Sequence, residues 1–189
     1  MAWTGPMWAG KTTALARSIA DRGGRWRIGV VPWAARPQGR DLPDRLRGLL
    51  PESSVQWAPL PDDWDPERDP EAWAEGVDGI ALDEAQFAPP SWLDAIRRWR
   101  AWGLRVHLAG LSLDALGRPF GTMPSLLAAA DEIIVLHARC ARCGRPARDT
   151  ALRPGVTLPE DGVAVGDGDR YVPLCPRCWA HSAGGDSLP

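Results

Sequence analysis

The chain has 189 residues, of which 44% are hydrophobic and 24% charged, and its formal net charge is −2. That length supports one well-buried core with a small appendage, and the composition is that of an ordinary globular domain. The near-neutral balance excludes bulk attraction to nucleic acid or to an anionic membrane, and no apolar run has the length of a membrane span.

Residues 1–5 have neither the basic start nor the apolar stretch of a signal peptide, so a cytoplasmic protein is expected. Lys11 is the only lysine beside 21 arginines. In a chain so biased toward arginine, a retained lysine points to a site where a slim point charge fits and a planar guanidinium does not.

Gly5-Pro6-Met7-Trp8-Ala9-Gly10-Lys11-Thr12 satisfies G-x-x-x-x-G-K-[ST] at every required position, with Thr13 next. Its glycines let the backbone curl so that successive N–H groups face phosphate oxygens, and the following helix start favours negative charge. On this reading Lys11 reaches the β- and γ-phosphates of ATP, and Thr12 offers its hydroxyl to Mg²⁺. The competing reading is a chance glycine turn before a helix. Residues 12–22 read as that helix, with Leu15, Ala16, Ile19 and Ala20 inward, stopping at Gly23-Gly24. Residues 27–33 read as the next strand. Only Met1 to Thr4 precede the loop, so its own strand is expected to be a stub, or the true start to lie further upstream.

Residues 79–84 form an apolar strand ending in Asp83 and Glu84. An acid at the carboxyl end of a neighbouring parallel strand lies beside bound phosphates, so Asp83 is expected to hold Mg²⁺ and Glu84 to be free to take a proton. A solvated acidic pair capping the next helix is the alternative. Residues 90–102 read as an amphipathic helix with Trp92, Leu93, Ile96 and Trp99 inward. Its arginines are read as a solvated face before a phosphate patch. Strands at 104–110 and 132–136 follow. Strands alternating with helices predict an α/β fold, a P-loop (RecA-like), mostly parallel sheet with helices on both faces.

The four cysteines form two Cys-x-x-Cys pairs, Cys140/Cys143 and Cys175/Cys178, with none left over. Four thiolates in two such knuckles suit tetrahedral Zn²⁺ in a structural site. Disulfides and a redox pair are the alternatives, the first disfavoured in a cytoplasmic enzyme. The 31 residues between the knuckles are expected to form a loop pinned at its base by the metal, a natural lid. The organisation expected is a nucleotide-binding domain over 1–138, a small zinc-binding domain over 139–182 and a tail over 183–189.

Along almost its whole length the chain resembles the zinc-containing thymidine kinases. The resemblance rests on the phosphate loop, Asp83-Glu84-Ala85-Gln86-Phe87, residues 110–121 with Arg118-Pro119-Phe120-Gly121, residues 123–138, and the two cysteine pairs with Tyr171 between them. It implies ATP-dependent 5′-phosphorylation of thymidine, Mg²⁺ as cofactor, a homotetramer and feedback inhibition by the deoxynucleoside triphosphate. In it Glu84 matches the catalytic base and Asp83 the metal-side acid. Phe87 lines the nucleoside pocket and Tyr171 sits against the substrate. The inter-knuckle loop, with Val165 and Gly166, is the lasso that closes over the base. An arginine that the family carries after its second strand has Arg36 or Arg40 as its counterpart. Departures fall in the pocket: Ala85 stands for a glycine, Ser112 for an aspartate, Ala115 for an aromatic residue and His137 for a base-touching threonine. An active pyrimidine deoxynucleoside kinase is therefore expected. The alternatives are a paralogue that only binds nucleotide and a kinase for another acceptor.

Overall fold

The structure, a computed structural model, describes residues 1–31, 55–57, 65–157 and 170–183. Six strands make one sheet: β1 (Ala2–Thr4), β2 (Gly24–Val30), β3 (Val55–Trp57), β4 (Gly79–Asp83), β5 (Arg105–Gly110) and β6 (Ile133–Val135). Their order is β3-β2-β4-β5-β1-β6, and every pairing is parallel. Among the described residues the helices beside the sheet are α1 (Lys11–Arg22), α2 (Pro70–Ala74), α3 (Trp92–Ala101) and α4 (Met123–Ala128). A parallel sheet needs apolar cover on both faces, and the two-residue period of its strands supplies it. Ile80, Leu82, Val106 and Leu108 turn to one face, against Trp73 of α2, Trp92 and Trp99 of α3, and Leu126 of α4. Ala81, Ala109 and Trp3 turn to the other, against Leu15, Ala16 and Ile19 of α1. The expected α/β sheet with helices on both faces is the one observed.

Three expectations change in detail. The strand read at 27–33 is β2, which begins at Gly24, directly after the helix stop; Arg25 and Arg27 hide its start in a hydrophobicity pattern, while pairing with β3 and β4 defines it. The strand before the phosphate loop is indeed short, yet it is internal to the sheet, between β5 and β6. The acid-bearing β4 is not its neighbour, because β5 stands between them.

His107 of β5 is buried, at 2% exposure, among Trp3, Trp26 and the Ser18 hydroxyl, whose oxygen lies 2.9 Å from Nδ1. Burial first, then the positive charges of the N-terminus, Arg22 and Arg105, lower its pKa to about 3. The unfolded chain therefore binds a proton here that the folded chain refuses. Stability from this group is fully present above pH ~6.5 and is lost as the pH falls toward 3. Relative to the parent, His107→Phe should gain stability on acidification through that window, by roughly 1 kcal/mol per pH unit. Denaturant unfolding of both proteins at several pH values checks it; a difference constant with pH would contradict the assignment.

Beyond the sheet, β7 (Ala138–Arg139) pairs antiparallel with β8 (Pro146–Ala147), and β9 (Asp149–Leu152) with β10 (Tyr171–Leu174), followed by α5 (Pro176–Ala183). The stretch between the knuckles, expected as a loop, thus contains β8, β9 and β10. Val165 and Gly166, like Arg36 and Arg40, lie outside the described residues. No helix among the described residues is long and apolar enough to cross a membrane.

Candidate active site

The phosphate loop runs from β1 into α1. Gly5 is held so close to the chain just after β6 that a Cβ there would sit 2.2 Å from the Leu136 carbonyl oxygen, so no other residue fits. Trp8 has a positive φ of 60° and its side chain is exposed. Gly10 caps α1 in the left-handed region with no side-chain bond to the first turn. The amides of Lys11, Thr12 and Thr13 are thereby left directed out of the helix start, where an anion is favoured.

The Lys11 ammonium folds back onto the loop, donating to the carbonyls of Gly5 (3.1 Å) and Pro6 (2.8 Å). Burial lowers its pKa, opposed by the charges of Glu84 and then Asp83. Both acids therefore act electrostatically on the same lysine although β5 separates their strand from β1. The Thr12 hydroxyl donates to Asp83 Oδ2 at 2.7 Å, and the Glu84 amide donates to Asp83 Oδ1 at 3.0 Å. Burial, then the charge of Glu84, raise the Asp83 pKa to about 6 against these bonds and Lys11. A buried carboxylate beside a hydroxyl and a second acid is a site whose charge a cation would relieve.

Glu84 adopts the left-handed conformation (φ 58°, ψ 36°), which costs a non-glycine residue on the order of 1–3 kcal/mol. This kink ends β4 and sends the two acids apart: Asp83 faces Thr12, while Glu84 Oε2 accepts from Gln86 Nε2 at 2.7 Å. Phe87 closes the short 3-10 turn Ala85–Phe87 and meets Phe120 edge to face, with ring centroids 5.3 Å apart. The structure so brings together Lys11, Thr12, Asp83 and Glu84, with Phe87 three residues after Glu84 and Phe120 packed against the Phe87 ring.

The remaining pocket candidates are placed more widely. Ala115 lies in a turn organised by Asp114, whose carboxylate accepts from the amides of Leu116 and Arg118 and from the Arg118 side chain. Ser112 borders a cavity of about 330 Å³ shared with Gly5, Arg148 and Trp179. His137 is exposed between β6 and β7. Tyr171 is buried at the start of β10, opposite Leu152.

Residues that sequence reasoning passed over join the cysteine region to the loop. Thr150 of β9 accepts from the Met7 amide at 3.0 Å, and Ala9 packs on the cluster of Ala138, Cys140, Ala147, Ala151, Leu174 and Cys175. Trp179, beside Cys178, lies over Gly117, where a Cβ would come within 2.8 Å of its ring. A tryptophan next to a knuckle was the only available signal. The four sulfurs are all free thiols within 4.8 Å of one another, Cys143 and Cys175 at 3.6 Å. A tetrahedron of Zn–S bonds of ~2.3 Å places its sulfurs about 3.8 Å apart, so the cluster fits zinc.

The thymidine kinase family model matches residues 65–179, more than half of the chain. The chain belongs to the thymidine kinase family. It is 40% identical over 111 residues to a thymidine kinase of Bacteroides thetaiotaomicron, covering 58% of this chain and 54% of that protein. A thymidine kinase of Rhodothermus is 39% identical over 106 residues (56% and 48%), and one of Deinococcus radiodurans 41% over 118 (61% and 55%). The chain spans about half the length of these curated relatives. In this thymidine kinase family member the phosphate loop precedes the matched segment, so its assignment rests on its own motif and on the Thr12–Asp83 contact.

Proposed function

We propose that the chain is an ATP-dependent deoxynucleoside kinase that transfers the γ-phosphate of ATP to the 5′-OH of thymidine or a related pyrimidine deoxynucleoside. The observation that carries this is the convergence of Thr12, Asp83 and Glu84 beside Lys11 in a member of this family. The amides at the start of α1 receive phosphate oxygens, and Lys11 exchanges its two loop carbonyls for the β- and γ-phosphates. Thr12 and Asp83 would hold Mg²⁺, which when bound supplies neutralising charge between those phosphates. The groove of about 600 Å³ that runs from Gly10 and Thr13 along α1 has room for the nucleoside end of ATP. Glu84 takes the proton of the attacking hydroxyl, while Phe87, Phe120 and Tyr171 line the acceptor pocket. A coupled ADP-release assay across nucleosides tests it: ADP formation should require a pyrimidine deoxynucleoside. Nucleotide binding without transfer would instead identify a binding paralogue.

The second part of the proposal is one structural zinc on Cys140, Cys143, Cys175 and Cys178. Four sulfurs this close cannot all ionise without a cation, and with one they close the fold of the region. Because Thr150 and Ala9 tie this region to the phosphate loop, its metal also supports nucleotide binding. The purified protein should carry about one zinc per chain. Cys175→Ser should lower the melting temperature by on the order of 10 °C and weaken nucleotide affinity. Metal analysis with thermal melts checks both; a zinc-free protein with its thiols oxidised in pairs would refute the site.

A homotetramer completes the proposal. Among the described strands β6 is an edge of the sheet, and it leaves Ile133 and Val135 each 47% exposed, apolar surface that a further copy would cover. Light scattering reads the assembly directly.

A further inference from the structure

Gln86 is 2% exposed, and a buried amide must satisfy both of its ends. The Leu111 backbone N–H points at its Oε1, at 3.0 Å. An N–H can only donate, so the amide oxygen must face Leu111, and that turns the NH₂ group toward Glu84 Oε2 at 2.7 Å. The end of β5 and the segment after it are moulded around this residue. A Cβ on Gly110 would stand 2.7 Å from Gln86 Oε1, and one on Gly121 only 2.0 Å from the Gln86 carbonyl oxygen. That carbonyl also accepts from the Thr122 amide at 3.2 Å. Gln86 is therefore locked in position, and through one donated bond it fixes the glutamate two residues earlier.

We propose that Gln86 is the positioning residue of the transfer reaction: its amide occupies Glu84 Oε2 and presents Oε1 to the acceptor hydroxyl. The inference rests on Glu84 being the base. Without the clamp the Glu84 side chain, already on a strained backbone, is free to swing toward Lys11, whose charge attracts it. Gln86 so keeps the base and the phosphate-binding cation from neutralising each other, and among the described residues no ion pair joins them.

The test is a double-mutant cycle of Glu84→Gln and Gln86→Glu, with Gln86→Met as a second variant should the first fail to fold. Gln86→Glu keeps an acceptor for Leu111 and replaces the donor facing Glu84 by a repelling oxygen. The expected result is a fall in kcat of roughly ten- to a hundredfold, with nucleotide Kd and nucleoside KM within about threefold. In the Glu84→Gln background the same change should cost less than about threefold, because the clamped carboxylate is gone. Equal losses in both backgrounds would mark Gln86 as merely structural and overturn the proposal, as would parental kcat in Gln86→Glu. If Glu84→Gln itself turns over like the parent, the base assignment falls and the proposal with it. Were the parent inactive toward every nucleoside, the side-chain amide resonance of Gln86 reads the clamp instead. It should shift in Glu84→Gln, and an unmoved resonance overturns the contact.

Discussion

Lys11→Ala is expected to abolish measurable phosphoryl transfer, a loss of at least roughly a hundred- to a thousandfold, while the fold survives. The side chain contributes little to the core: its ammonium binds only two carbonyls of its own loop. Losing those bonds should move the melting temperature by no more than about 4 °C. In the proposed transfer, however, the ammonium is the one lysine charge available to the β- and γ-phosphates. It cannot be replaced by a neighbouring arginine without reshaping a loop whose Gly5 has no space for a Cβ. Arginine at position 11 should also fail, because the guanidinium is too broad for the glycine loop. Steady-state ADP release and thermal melts on the three proteins check this. Parental turnover in the alanine variant would end the phosphate-loop assignment.

Glu84→Gln should cut turnover by roughly a hundredfold or more while leaving nucleotide affinity nearly unchanged. Asp83→Asn should do the reverse in kind, weakening Mg²⁺-dependent nucleotide binding first. The separation follows from the backbone: adjacent side chains at a strand end already point apart, and the left-handed turn at Glu84 gives each acid its own partner, Thr12 for Asp83 and Gln86 for Glu84. Nucleotide titration with and without Mg²⁺, beside steady-state kinetics, separates the two roles. Identical profiles for the two variants would mean that the acids act as one charge cluster and that the base lies elsewhere.

The phosphate loop, the acid-ended strand and the paired knuckles were legible in the sequence because each is a local device. A glycine curl before a helix, an apolar strand ending in charge, and two Cys-x-x-Cys turns carry their chemistry in spacings of a few residues, and no distant partner is needed to recognise them. Alternation of apolar strands and amphipathic helices likewise sufficed for the α/β class. Strand order was a different matter. Parallel neighbours are chosen by crossovers that periodicity does not record, so β5 between β1 and β4 came only from the fold. The same holds for polar residues whose meaning is a partner far away in the chain. Gln86 is an unremarked amide until Leu111 reaches it from 25 residues on, and Thr150 an ordinary strand threonine until it takes the Met7 amide across 143. His107 reads as one polar residue in an apolar strand, and only packing against Trp3, Trp26 and Ser18 makes it a buried neutral imidazole. The sequence by itself pointed to the family and to the local motifs that characterise it. The tertiary structure decided how its groups are held, because hydrogen bonds and packing across the sheet join residues that no local spacing relates.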